Sequence, residues 1–472
     1  MERRPVLGLR EGRPGLHRRC ADARSRQRAP GQRLRHRHQQ PQGAAMTVRT
    51  LFAAAALTTL TALAALLTAA ATVAIVNATI LTADKAGTLT GATLLMRDTK
   101  IVAVGRGVAV PPGATVIDGS GKFLTPGMFA PLSALGVVEI DAVGETNDRP
   151  SAHKRYGPAL DMSDAFNPLS HRIPIARVDG VTRAMVAPTA RRGGNVLVGQ
   201  GAVVSLGSTS AWLVKPRAAM FAAFGEEGAS LSGTRASAVL ALREQFEEVR
   251  DAARPARPRA RAEPRQPAVA PGHRGHETGD GLGQVPLVIS ANRASDILAA
   301  IALARQYKLR LVIAGGAEAW LVAPQLAAYQ ADVIIDPLLQ LPEGFDSLSA
   351  RSDNASLLAA AGCAGRVQFR PDRHLQCAQS APAGLSNAIR FGLDPATALA
   401  AITLNPARMY GVDGQLGSLA AGKLADVVLW DGDPFELASY PGAVFIGGER
   451  MGDDTRQSAL RDKYMRLHRL KD

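Results

Sequence analysis

Cysteine is almost missing from this chain. Cys20, Cys363 and Cys377 are three in 472 residues, and the spacing of the last two fits no zinc motif and builds no disulfide framework. Small, buried or incidental thiols are expected, with a Cys363–Cys377 bridge left open for an oxidising compartment. Histidine is scarce and scattered. Of the nine, His17, His36 and His38 fall in the first 45 residues, His273 and His276 in a stretch of Arg and Pro, and His468 in the charged C-terminal tail. His36 and His38 have ligand spacing but no strand beneath them. His153, His171 and His374 remain, widely separated and outside any ligand motif. Aromatic residues make up only 4% of the chain, and none are interleaved with the basic clusters as a base-stacking surface requires. A nucleic-acid partner is therefore not expected, despite a formal charge of +14.

That charge is unevenly spread. Residues 1–45 hold twelve arginines against Glu2, Glu11 and Asp22, with no apolar periodicity, and a second Arg/Pro cluster runs from Arg250 to Arg274. Long apolar runs are also rare. The main one, Leu51 to Leu67, follows the short basic segment Thr47 to Arg49 and precedes Ala69 to Ala71, the order of a secretory signal peptide. Met46 is accordingly read as the start, residues 1–45 as a leader outside the mature protein, and residues 46–71 as a signal peptide. The expected location is periplasmic or secreted. An uncleaved membrane anchor is the alternative, because the apolar run approaches the length that spans a bilayer.

What is present reads as a large α/β protein, and 46% hydrophobic content supports a sizeable core. Short strands come first: Val73 to Ile80, Ala92 to Met96 and Lys100 to Val104. Runs of strand and helix then alternate. Val181 to Ala187, Pro286 to Ala291, Arg310 to Ala314 and Asp332 to Ile335 read as strands, and Ala294 to Gln306 and Glu318 to Ala328 as helices. A further helix opens at Asp394 as N-cap with Pro395 at its first position. Met128 to Val138 is small and apolar, the pattern of a strand buried on both faces. Segments 252–284 and 365–382 break this rhythm, and either a reading-frame error or a low-complexity loop would account for them. Gly193 and Gly194, and Gly199 with Gly201, open no predicted helix and are read as loops rather than a phosphate cradle.

Two motifs bracket the chain. Asp118 to Gly127 spells D-x-x-G-K-x-L-x-P-G, and Gly417 to Val428 spells G-S-L-x-x-G-K-x-A-D-x-V. On these residues the sequence resembles the amidohydrolase superfamily, and within it the imidazolonepropionase-like amidohydrolases. The resemblance implies a (β/α)8 TIM barrel with a small β-sandwich formed from both ends of the mature chain. The implied boundaries are 72–125 and 412–450 for the sandwich, 126–411 for the barrel and 451–472 for a charged tail.

The resemblance also implies hydrolysis of non-peptide C–N bonds with a divalent metal such as zinc. The ligand positions it points to are occupied by other residues: Leu132 and Ala134 for the first histidine pair, Ala130 for the Asp before them, Ser290 and Asn292 on a middle strand, and Gly315 on the next. No metal ligand is assigned, and no cofactor is expected. Asp372 matches the last-strand Asp. Glu139, Asp141, Glu145 and Asp148 follow the first strand, and paired carboxylates can act as acid and base where burial separates their pKa values. The expected catalytic residues are thus Asp372, Glu139 and Asn292, with Ser290, Gln200 and Glu318 contacting substrate. The expected partner is a small molecule, with membrane contact only through the signal sequence or anchor. A barrel that binds a ligand without chemistry is the alternative function.

Overall fold

The computed structural model describes residues 72–207, 209–253, 285–369 and 380–469. The leader, the signal-like segment 46–71, His273, His276, Asp372, His374 and Cys377 lie outside them. Among the described residues, no helix is long and apolar enough to cross a membrane.

The first sheet draws strands from both ends of the described chain. They are β1 (Thr72–Leu81), β2 (Thr88–Arg97), β3 (Lys100–Gly105), β4 (Thr115–Asp118) and β5 (Phe123–Pro126). The second eight strands make another sheet, and β14 (Val427–Trp430), β15 (Pro441–Ile446) and β16 (Glu449–Arg450) complete the first, in the order β16-β15-β14-β5-β1-β2-β3 with β4 beside β1. The two bracketing motifs meet here directly. β5 runs antiparallel to β14 with Phe123 opposite Trp430 and Pro126 opposite Val427, and Trp430 Nε1 donates to Thr125 Oγ1 at 2.9 Å. Ile75, Ile80, Leu94, Met96, Leu124, Val427 and Phe445 form one apolar cluster across the sheet. Burial of that kind contributes roughly 1.5–3 kcal/mol per large side chain.

The second sheet holds β6 (Met128–Ser133), β7 (Val181–Val186), β8 (Leu197–Ser205), β9 (Leu213–Ala222), β10 (Leu287–Ala291), β11 (Leu311–Gly315), β12 (Asp332–Ile335) and β13 (Val367–Phe369), in chain order. The ends of the row, β6 and β13, approach one another, so the sheet nearly closes into a barrel. β6 with β7 and every pair from β9 to β13 are parallel. β7, β8 and β9 are antiparallel neighbours, a departure from the all-parallel pattern. The connections on either side of β8 are too short for a crossover helix, and a chain that turns straight back can only pair antiparallel.

β8 also corrects the loop expected at Gly199 to Gly201, because both glycines lie inside this strand. Their use is close packing and bulging. A Cβ at position 201 would meet Phe221 and the Met185 sulfur at 2.6 and 2.7 Å, and the β8–β9 register shifts on both sides of the pair. β6 is shorter than expected, ending at Ser133, but all its residues except Leu132 are buried. β2 begins at Thr88, four residues before the expected Ala92, while the other strands read from the sequence and the helix Ala294–Tyr307 fall within a residue or two of the periodicity reading. The expected helix from Glu318 divides into a 3-10 turn, Ala319–Val322, and an α-helix, Ala323–Tyr329, with Pro near its start.

The N-terminal ends of the parallel strands form the barrel's base, and polar bonds lock it. Arg183 on β7 makes two bonds to Asp426, 2.6 Å from Nε and 2.8 Å from Nη2, with both side chains buried. Asp426 precedes β14, so this pair joins the two sheets, and its Oδ1 also accepts the Gly447 amide at 2.8 Å. Tyr410 is wholly buried and donates to the Pro131 carbonyl at 2.5 Å. It follows the short helix Leu404–Met409, whose Met409 and Tyr410 carbonyls accept from Arg310 Nη2 and Lys215 Nζ at 3.1 and 2.7 Å. Cations at a helix C-terminus satisfy carbonyls that have no partner within the helix. The barrel interior above is apolar: Phe129, Met185, Val203, Phe221, Val312 and Ile334 fill it.

Candidate functional site at the barrel mouth

At the opposite end, the C-terminal ends of β6, β10, β11 and β12 surround a cavity of about 400 Å³. Its lining includes Leu132, Ser290, Asn292, Gly315, Asp336 and Asp346. Parallel β/α barrels carry their reactive groups at this end, because strands deliver side chains there on a rigid frame while loops shape the access. The positions that the sequence resemblance singled out on the first, middle and following strands therefore converge in space. Leu132, Ser290, Asn292 and Gly315 share one cavity.

Each polar group here has a defined setting. Asn292 Nδ2 donates to Asp346 Oδ2 at 2.9 Å. Gly315 has φ +106°, and a Cβ there would collide with Asn292 Oδ1. Glycine is thus required both by backbone conformation and by the side chain lying over it. Glu227 is the third residue of the helix Gly225–Ser232 that follows β9, and a Cβ at Gly225 would lie 3.5 Å from the Ser290 carbonyl oxygen. Burial pushes the Glu227 carboxyl above the usual glutamate range; the Ala190 amide, the Ser290 side chain and the Arg149 charge oppose that rise without cancelling it.

The other expected site residues are placed elsewhere. Both Glu318 oxygens accept backbone amides, from Ala294 at 3.0 Å and Ser349 at 3.1 Å, and its own amide donates to the Asn292 carbonyl at 2.9 Å. Its carboxylate fixes the start of the helix after β10 and the loop after β12, so it shapes the mouth from behind. Gln200, on β8, donates to the Pro158 carbonyl at 2.9 Å. Glu139 accepts from Ser170 Oγ at 2.9 Å and Asn167 Nδ2 at 3.2 Å, and lies 2.7 Å from His171 Nδ1. It ties the loop after β6 to the helix Arg172–Val178, as does Asp141 through Arg172 at 3.0 Å. Neither Gln200 nor Glu139 lines the mouth cavity. Asp372 lies outside the described residues.

Sequence reasoning missed Glu227, Glu226, Asp336, Glu343 and Asp346. Signals for three of them were available. The apolar run Ala218 to Phe224 has strand length and ends in Gly225 followed by two glutamates, and Asp336 directly follows the strand Asp332 to Ile335. An acidic residue at the C-terminal end of a barrel strand points into the mouth.

Comparison with known proteins supports the same frame. Residues 372–452 match the Amidohydrolase family. An amidohydrolase from Thermotoga maritima has the same fold with a TM-score of 0.70 and 26% identity, covering 80% of this chain and 99% of that one. Over shorter stretches, 55 residues are 51% identical to imidazolonepropionase from Aromatoleum aromaticum, covering 11% of this chain and 13% of that protein. A stretch of 64 residues is 41% identical to the amidohydrolase tasK of Hapsidospora irregularis, 14% of this chain and 6% of that protein. The chain thus spans only a small part of these two relatives' length. The chain has the fold of an amidohydrolase over most of its length and carries the family's sequence match in its C-terminal part.

At Leu132, Ser290, Asn292 and Gly315, where the amidohydrolase resemblance expects ligands for a divalent ion, the residues present do not fit one. Leu132 offers no donor atom, Gly315 has no room for a side chain, and Asn292 already donates to Asp346. Among the described residues, no three His, Cys, Asp or Glu side chains gather to hold an ion.

Proposed function

We propose that this chain is a hydrolase acting on a C–N bond other than a peptide bond in a small molecule, with the mouth cavity as its site and no resident metal. The observation that carries the reading is the convergence of Ser290 and Asn292, with the acidic groups around them, in one cavity at the C-terminal ends of the barrel strands. Its volume of about 400 Å³ lies within the range of small-molecule pockets. The relatives' names add a starting point, because imidazolonepropionases recur among them. We also propose an exported protein, on the order of basic, apolar and small residues in segment 46–71.

The test is a substrate panel. An imidazolonepropionate, a lactam, a cyclic imide, an N-acyl amine and an aryl urea are incubated with protein expressed from Met46, and release of the acid or amine is followed by mass spectrometry. Turnover of at least one class, lost in Asn292→Ala, supports the reading. A panel that stays intact while a member binds in the cavity would replace it with the binding-protein alternative.

A further inference from the structure

We propose that the C-terminal helix Arg456–Arg469 docks this protein on an anionic phospholipid surface. The proposal does not depend on the chemistry of the mouth. The start of the helix is fixed by reciprocal bonds: Ser458 Oγ accepts the Thr455 amide at 2.8 Å, and Thr455 Oγ1 accepts the Ser458 amide at 3.0 Å. Beyond that turn it stands clear. A cavity of about 420 Å³ lies between the body and the first turns, with Val178, Pro441 and Val444 on one side and Gln457, Ser458 and Arg461 on the other. Residues 459–467 are all exposed. Among them Leu460, Tyr464 and Leu467 fall at i, i+4 and i+7, so they share one stripe of the helix. Their exposures of 41, 57 and 46% leave that stripe uncovered. A helix of 14 residues without a packed face is marginal in water, so a surface that covers the stripe would also hold the helix.

Charge selects the occupant. Between residues 456 and 467, Arg456, Arg461, Lys463 and Arg466 stand against Asp462 alone, and the acidic pair Asp453 and Asp454 precedes the helix at the end that joins the body. Helical spacing sets Lys463 beside Leu460 and Leu467 on one flank of the stripe, and Arg461 beside Tyr464 on the other. An apolar stripe with cations on both flanks is the pattern of a helix lying in a bilayer interface. The stripe enters the acyl boundary, and the Lys and Arg stems bury while their charged ends reach phosphate. Tyr464 suits the headgroup level, because its ring is apolar and its hydroxyl polar. A second copy of this chain is a poorer occupant. Pairing two such stripes would press the basic flanks of both helices together. Residues 1–45 and the segment from Arg250 to Arg274 are themselves rich in arginine, so neither supplies the complementary charge.

Amide hydrogen exchange read by mass spectrometry tests this on the full chain from Met46, because it reports on the helix locally whatever the apolar segment Leu51 to Leu67 does. Vesicles of phosphatidylcholine alone are compared with vesicles that also contain phosphatidylglycerol. The expected result is exchange slowed more than about tenfold across residues 456–469 on the anionic vesicles only, with the slowing lost as salt is raised. Lys463→Glu with Arg466→Glu should remove it. So should Leu460→Ser combined with Tyr464→Ser and Leu467→Ser. All five positions are exposed, so exchange in β10 to β13 should stay unchanged in both variants and serves as the folding control. Exchange that is the same with and without lipid overturns the proposal, as does slowing that is equal on both kinds of vesicle or that persists in either variant. Protection that appears without lipid and grows with protein concentration also overturns it, and assigns the stripe to a second copy of the chain.

Discussion

The two ends of the barrel treat polar groups in opposite ways. At the base, Arg183 and Asp426 bond each other twice in full burial, Lys215 and Arg310 close carbonyls after the helix Leu404–Met409, and Tyr410 reaches across to Pro131. At the mouth, Ser290, Asn292 and Asp346 face a cavity, and Asp346 is met by the neutral Asn292 amide rather than by a buried opposite charge. The base spends its polar groups on joining two sheets. The mouth keeps them accessible, with Glu318 and Gly315 setting the frame around them. Folding and chemistry are thereby separated along one axis, so substitutions at the two ends should separate as well.

The largest effect is expected at the base. Asp426→Ala should destabilise by about 3–5 kcal/mol, because it leaves the Arg183 guanidinium buried without its partner, as measured by urea unfolding. A loss under about 1 kcal/mol would mean that water reaches the pair and that the base is not locked. Next is Gly315→Ala, expected to cost about 1–3 kcal/mol through its backbone conformation and the collision with Asn292. This variant sharpens the contrast, since a mouth position would then show the stability cost of a structural one.

Asp332, the first residue of β12, supplies a pH-dependent test at the base. Burial raises its pKa to about 6, with Arg366, Gln368 and Arg310 opposing the rise. The folded state holds a proton there that the unfolded state has already lost, so stability falls as pH rises from the ordinary carboxylate value towards about 6 and is level above it. Asp332→Asn should gain about 1–2 kcal/mol at pH 8 and close to nothing at pH 4, read from melting curves at the two values. The smallest stability effect is expected for Asn292→Ala, within about 1 kcal/mol, although it should abolish turnover. An equal loss of stability there and at Asp426 would erase the distinction between the ends.

Much of the frame was legible because it is written in local pattern. The motifs from Asp118 and from Gly417 become paired strands, and Asp332 to Ile335 is a strand with the expected limits. Asp394 caps its helix by accepting the Thr397 amide at 2.9 Å. β8 was not legible, because Gly199 and Gly201 read as turn residues until Phe221 and Met185 are seen packed against the second of them. At the site, Ser290 and Asn292 could be found through their place on a strand. Asp346 could not, since its place depends on a bond from Asn292, 54 positions away along the chain, and no local period records such a contact. Glu139 misled for the converse reason: its position after β6 suits a mouth residue, but its bonds run sideways to Ser170 and His171.

The most direct test of the account is the hydrolysis rate on the best panel substrate, measured with the protein's metal content known, before and after exhaustive chelation and again after added zinc or manganese. The account predicts one rate throughout, set by Ser290 and Asn292. A rate that disappears with the chelator and returns with a stoichiometric ion would contradict it.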